Sequence, residues 1–470
     1  MKRKLLILCL LLSVMNVSCT EKNGTESSAD FVSEIVKPYS YPFLGFGYNQ
    51  YPLDLNTDGS DNPVWTEERY AMMEERIRAI NPGLVRIPVV RQWYNPSMET
   101  GEYDWDTPEM QACYKFFDLY KEMGVDLLCG WWHVTTYETD AEGYKDDANV
   151  TAFVDFIEYM LNEKGYDNMI YMQPSNEPYG TYTQFSDWSS FMRKAYSQCM
   201  ERGLPNTLCG PDSWDDWIGR AALSNSKELV SYNFHFYFDG TAASSENLGL
   251  YDQLKVQMDY VYDNDPTSVK PVVCGEVGAI NGGWLDWPSN APEGAIYSFD
   301  YIYAVYMIDF AIQAMRAGVS SSLSWGLHGF DQNKDAGMWN NTGNWGGTRL
   351  RPLYYAWSLL CRYFPSGATA LDMSQKSGKV KIGGVNVGNG DYSFVVCSLA
   401  GYEDEVSIRL PEDSKDTWYV YTFSEVSQGD GEQLSIPYEP TNAKETITIK
   451  VPAESAVFIT TMQPLESQNN

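Results

Sequence analysis

Two glutamates stand where apolar runs end, and their setting suggests acid–base chemistry. Glu177 closes the stretch MIYMQPSNEP at residues 169–178, and Glu276 lies in KPVVCGEVGA at 270–279. A carboxylate beside a buried run is costly unless it is used. A pair of them can divide labour at an acetal carbon: one carboxyl protonates the departing oxygen, while the other attacks the carbon or activates water. Other groups fall at comparable places: Arg86 in VRIPV, His133 in WWHV beside Trp132, Asn176 before Glu177, His235 and Tyr237 in HFY, and Trp325 in LSWG. His235 and Tyr237 are two apart, so on a strand both point the same way.

Such residues converge only if the elements carrying them do. Eight short apolar runs alternate with longer helical patterns: 43–49, 83–90, 125–133, 169–178, 206–212, 231–238, 270–279 and 320–329. Between the second and third lies PEMQACYKFFDLYKEMG, where Met110, Cys113, Phe117 and Tyr120 recur at spacings of three and four, and Gly124 ends the helix. Strand–helix alternation implies parallel pairing by right-handed crossovers. The fold class is therefore α/β, a (β/α)8 TIM barrel over residues 39–364, with its working groups at the C-terminal strand ends. After RPLYYAWSLLCRYFPSG the pattern changes to short alternating strands such as VKIGGVNVG and SAVFITTM. Residues 365–464 are expected to form a small antiparallel β-sandwich.

The chain has 470 residues, with 44% hydrophobic and 14% aromatic content, enough for two domains with sizeable cores. Its 34 Tyr and 15 Trp suit a groove that stacks flat polar ligands. A net charge of -30 argues against nucleic acid, which needs clustered Lys and Arg, and disfavours acidic ligands. Residues 1–19, MKRKLLILCLLLSVMNVSC, read as a lipoprotein signal peptide with lipidation expected at Cys19. Residues 20–38 are polar and are expected to be a flexible tether. These features imply a bacterial envelope protein, lipid-anchored at the outer membrane or cell surface and facing the periplasm or exterior. The dispersed cysteines lack any CxxC and match neither a disulfide framework nor a zinc site. Asp212, Asp215 and Asp216 match no metal loop and read as a solvated acidic face. No metal and no dissociable cofactor is expected, and the protein is expected to be a monomer.

The ordered set VRIPV, WWHV, SNEP, HFY, VVCGEVG and LSWG resembles clan A of the retaining β-glycoside hydrolases, most closely family 5, the cellulase and mannanase family. The final helix and sandwich are more like families 39 and 30 of that clan. The resemblance implies Glu177 as general acid/base and Glu276 as nucleophile, with Arg86 and Tyr237 stabilising the nucleophile's charge. It implies Asn176 at the sugar 2-hydroxyl, His235 positioning Glu177, His133 on a sugar hydroxyl and Trp325 as the floor under the reacting sugar. Trp132, Trp214, Trp217, Trp284, Trp287, Trp339 and Trp345 are further ring candidates, and His328 is undecided. The implied partner is a neutral β-linked glycan, a β-glucan or mannan-like chain cut internally. The alternatives are an exo-acting β-xylosidase or β-glucosidase, and a non-catalytic carbohydrate-binding lipoprotein.

Overall fold

The computed structural model describes residues 31–56, 60–213, 216–239, 249–266, 269–280, 299–329, 337–340, 348–376 and 378–465. Eight parallel strands form one sheet: β1 Phe46–Asn49, β2 Leu84–Val89, β3 Asp126–Trp131, β4 Met169–Gln173, β5 Cys209–Ser213, β6 Ser231–Asp239, β7 Val272–Ile280 and β8 Ser321–Ser324. Their order is 4-3-2-1-8-7-6-5, and β8 pairs with β1. A parallel bridge from Met172 to Leu208 joins β4 to the start of β5 and closes the ring. Each of the eight apolar runs marks one of these strands; five contain theirs whole, and β5, β6 and β7 each run one residue past the expected end.

Local signals explain the helices between them. In Pro108–Met123 the Thr107 hydroxyl accepts from the Met110 N–H, Pro108 sits in the first turn, and Gly124 caps the end at φ 69°. Its buried face includes Met110, Cys113, Phe117 and Tyr120. The barrel interior has an apolar layer of Leu84, Leu128, Tyr171, Cys209, Val273 and Leu323. Two residues further along their strands, Arg86 and Gln173 face the same way and start a polar layer. All seven described cysteines are free and buried, as small apolar side chains are.

The C-terminal strands make two sheets around a second core. The larger sheet runs Glu439–Asn442, Thr417–Phe423, Ser455–Thr460, Asp391–Ser398, Val380–Gly388, Thr369–Met373 and Ile35–Pro38. The smaller one joins Val32–Ser33 to Asp404–Arg409 and Thr446–Val451. The end of the expected tether is thus two short strands, Val32–Ser33 and Ile35–Pro38. Ile35–Pro38 pairs antiparallel with Thr369–Met373, and Val32–Ser33 pairs parallel with Asp404–Arg409. Phe31 and Ile35 pack on the sandwich core, which gives this short stretch, FVSEIVKP, a reason to be ordered.

Sandwich and barrel share a packed boundary. Lys381 lies 2.7 Å from Oδ1 of Asp309 on helix Tyr301–Ala317, and both side chains are buried. The hydroxyls of Tyr363 and Tyr421 meet at 2.6 Å across the same boundary. No described helix is long and apolar enough to cross a membrane.

Candidate active site

Arg86 on β2 is the hub of the barrel mouth. Its Nη1 donates to Oδ1 of Asn49 at 2.8 Å and to Oε1 of Glu276 at 2.7 Å. Its Nη2 donates to Oδ1 of Asn176 at 2.6 Å and to Oδ2 of Asp212 at 2.9 Å. A guanidinium can serve several planar acceptors at once because its donors are fixed in one plane. Two carboxylates and two amides from β1, the β4 end, β5 and β7 therefore share one cation.

Glu276 lies inside β7. Its other oxygen, Oε2, accepts from the Tyr237 hydroxyl at 2.7 Å, and His235 Nδ1 stands 3.5 Å away. Burial pushes the Glu276 carboxyl above its ordinary range, and His235 and Arg86 offset that only in part. The preceding residue must be small, because a Cβ on Gly275 would lie 2.3 Å from Oδ1 of Asn233.

His235 bridges three acids. Nδ1 meets Oε1 of Glu177 at 2.8 Å, and Nε2 meets Oδ1 of Asp212 at 2.7 Å. Burial opposes its charge, but Asp212 and then Glu276 overcome that and raise the imidazole to about 10. At neutral pH it is an imidazolium and donates from both nitrogens.

Glu177 follows β4 at φ 40°, a left-handed backbone that costs a non-glycine residue about 1–3 kcal/mol. Its side chain is 35% exposed against 5% for Glu276, so of the two it is open to the solvent side. One carboxylate oxygen of each glutamate and a ring nitrogen of His235 all lie within 4.8 Å of one another. These three could in principle hold a cation. To do so His235 would have to give up a proton, because a doubly donating imidazolium has no lone pair to offer.

Asp212, expected in a solvated acidic face, is a correction: it is buried inside this network. Its Oδ1 accepts from His235 and from Asn233 Nδ2 at 2.6 Å, and its Oδ2 accepts from Arg86 and from Gln173 Nε2 at 2.8 Å. Burial alone would raise this carboxyl, yet Arg86 and His235 hold it down at about 2. Asp216, by contrast, is exposed. Sequence reading also passed over Asn49, Gln173 and Asn233, all buried polar partners in the same layer. The available signal was position, since Asp212 ends the fifth apolar run as Glu177 lies at the end of the fourth.

Trp132 and Trp325 stack with ring centroids 6.1 Å apart, and Arg86 lies 5.9 Å from the Trp132 ring. His133 is set outside the carboxylate network, with Nδ1 3.6 Å from Asp140 and its ring edge-on to Trp132 and Tyr137. His328 is buried between Trp65 and Trp339, and burial lowers it to about 4. Trp217 and Trp339 are buried in packing, the latter under the Arg76 guanidinium. Cys19, Trp214, Asp215, Trp284, Trp287 and Trp345 lie outside the described residues.

A closed parallel barrel followed by a β-sandwich, with paired carboxylates at the barrel mouth, defines a clan A glycoside hydrolase. The family model described as cellulase (glycosyl hydrolase family 5) matches residues 45–312, more than half of the 470-residue chain. The chain belongs to that family and has an O-glycosyl hydrolase fold. Its fold is similar to that of a GH30 endoxylanase from Clostridium papyrosolvens, with TM-score 0.62 and 11% identity over 92% of this chain and 99% of that one. The catalytic domain of GH30 xylanase C from Talaromyces cellulolyticus aligns with TM-score 0.64 and 14% identity over 92% and 100%. A GH51 arabinofuranosidase from Xanthomonas axonopodis aligns with TM-score 0.61 and 14% identity over 91% and 98%. No curated protein matches the chain by sequence.

Proposed function

We propose that the protein is a retaining β-glycosidase that hydrolyses a neutral β-linked glycan by double displacement. The carrying observation is the gap between Glu177 and Glu276: oxygens within 4.8 Å, bridged by His235. Retaining enzymes hold their carboxyls about 5–5.5 Å apart, whereas inverting enzymes need about 6.5–9.5 Å to seat a water.

Glu276 is the nucleophile in this reading. Arg86 and Tyr237 each hold one of its oxygens, which favours the ionised form and fixes the attack direction. Glu177 is the acid and then the base. Its Oε1 is engaged by His235, which leaves Oε2 as the oxygen that faces the leaving group and exchanges the proton. Glu276 bonds to the anomeric carbon as the leaving group departs. Water then attacks that carbon, gives its proton to Glu177 and frees Glu276. Asn176 has its Oδ1 engaged by Arg86, which turns Nδ2 toward the sugar 2-hydroxyl. Trp325 and Trp132 supply ring faces at the same mouth.

We favour a β-glucan or mannan-like chain, and the neighbours named as xylanases put xylan on the same panel. Reducing-sugar release from these polymers, with proton NMR of the first anomer formed, tests the reading. A β-anomer appearing first supports it, and an α-anomer from a β-linkage overturns it. The N-terminal apolar run ending at Cys19 supports envelope anchoring through lipid. Incorporation of labelled fatty acid, abolished by Cys19→Ala, would be the test.

A further inference from the structure

We propose that Asp430, in the sandwich loop between Thr417–Phe423 and Glu439–Asn442, is a positioning residue for the reaction: its turn holds the β8 side of the barrel mouth, and with it Trp325, in register with the catalytic carboxylates. The proposal rests on the hydrolase reading above and adds a task for the second domain.

The link is a run of backbone hydrogen bonds. It begins in the catalytic layer at Asn49, whose side chain accepts from Arg86. The Asn49 carbonyl accepts from the Leu327 N–H at 2.7 Å, the Leu327 carbonyl from Met338 at 2.9 Å, and the Met338 carbonyl from Arg351 at 2.9 Å. The neighbouring N–H, that of Leu350, donates to the Gly431 carbonyl at 2.9 Å. Four bonds thus lead from a partner of Arg86 to the sandwich. Trp325 stands two residues before Leu327, and its N–H donates to the carbonyl of Val277, next to the nucleophile, at 2.9 Å. Two cross-ties stiffen the run. The Gly329 N–H donates to the Trp339 carbonyl at 2.8 Å, and Arg351 Nη1 donates to the Gly337 carbonyl at 3.0 Å.

The sandwich end of this run is shaped by one carboxylate. Asp430 Oδ1 accepts from the N–H groups of Glu432 at 2.9 Å and Gln433 at 2.8 Å, and from the Tyr355 hydroxyl at 3.3 Å. The Asp430 carbonyl accepts from Arg349 Nη2 at 2.6 Å, and the Gly431 N–H donates to the Tyr355 hydroxyl at 2.8 Å. Tyr355 lies on Pro352–Tyr363, the helix that follows β8. The glycines on either side admit no side chain. Gly429 and Gly431 hold φ 96° and 85°, and a Cβ would lie 2.2 Å from the Tyr355 ring on the first and 2.7 Å from Arg349 Nε on the second. Asp430 is itself exposed, so it adds little to either core. A loop that only joined two strands of one sheet would need none of these contacts to the barrel.

A ring that supports the reacting sugar must be placed closely. A misplacement of about 1 Å, set up far from the chemistry, can cost about 10²-fold in rate.

The test compares Asp430→Ala and Asp430→Asn, with Tyr363→Phe as a control elsewhere on the domain boundary. Amide hydrogen exchange is followed by mass spectrometry in peptides covering 326–329 and 337–340, and kcat and KM are measured on the best-cleaved glycan. Asp430→Ala should speed that exchange about tenfold, the size of one lost charge-assisted hydrogen bond. Its kcat should fall about tenfold while KM stays within about twofold. Asp430→Asn keeps the Oδ1 acceptor and should restore both. Tyr363→Phe should move neither. Unchanged exchange in Asp430→Ala overturns the proposal. So does a wild-type kcat beside a lowered thermal midpoint, which is the mark of a purely structural residue. A wild type inactive on every glycan sinks the hydrolase reading instead, and the exchange data then decide by themselves whether the turn holds the mouth.

Discussion

Asp212 at the barrel mouth and Asp309 beneath the sandwich are both buried, yet their carboxyls move in opposite directions. Burial raises Asp309, and Lys381 offsets that only in part. Asp212 meets the same penalty and ends at about 2. The difference lies in the company. Asp212 accepts from Arg86, His235, Asn233 and Gln173, two of them cations. Asp309 faces one ammonium, whose hydrogen bond runs to Oδ2 at 2.9 Å. A single counter-ion does not replace the water that a buried carboxylate gives up, whereas a full set of donors does. Dense satisfaction is also what keeps charged groups aligned for chemistry.

The largest expected contrast is catalytic. Glu276→Ala should lower kcat by roughly 10³-fold or more on the best glycan, while Asp309→Asn leaves kcat of the folded protein in place. Comparable kcat losses in both would erase the distinction between mouth and boundary. The next contrast is in stability. Arg86→Met strands Asp212 and Glu276 and should cost about 3–5 kcal/mol in urea unfolding. The double change Lys381→Met/Asp309→Leu removes an entire buried pair and should be neutral or stabilising by about 1–4 kcal/mol. A large loss there would mean the boundary pair is as well supported as the mouth.

A pH scan sharpens the comparison further. The folded value of His235 is raised from 6.5 to about 10, so its stabilisation is complete below the unfolded value and is lost as pH rises through about 10. Asp212→Asn removes the principal charge that raises it, so thermal midpoints should begin to fall at a lower pH than in the wild type. Asp212 itself is lowered from 3.8 to about 2; its contribution is present above the former value and lost as pH falls through the latter. The variant should lack that acid-side loss, and identical profiles on both sides would contradict the network described. The smallest effect is at the boundary, where Tyr363→Phe removes one hydroxyl of a buried pair and should cost about 1 kcal/mol, with kcat unchanged.

What could be read from sequence follows the same physics. The barrel strands were legible because each is a short apolar run bounded by turn residues, and Glu177 and Glu276 were legible as acids in or beside such runs, although β7 continues four residues past Glu276, which was expected at its end. Asp212 was hidden by its neighbours: a Gly-Pro-Asp turn followed by Asp215 and Asp216 looks like a solvated loop. Nothing local tells that Arg86 and His235 will close on it from β2 and β6. Residues 32–38 were missed because their partners, Thr369–Met373 and Asp404–Arg409, lie at the other end of the chain. Glu439–Asn442 was missed because it is a polar strand exposed along its whole length.

The pairing of Ile35–Pro38 with Thr369–Met373 makes the sandwich a clasp between the two ends of the chain. A fragment starting after residue 38 would carry the whole barrel yet bare the backbone of Thr369–Met373, an open edge that invites pairing between molecules. During synthesis the earliest strand must wait for the last hundred or so residues before it finds its place. A load applied on the amino-terminal side is borne first by the pairing of Val32–Ser33 with Asp404–Arg409 and then by that edge, ahead of the barrel strands.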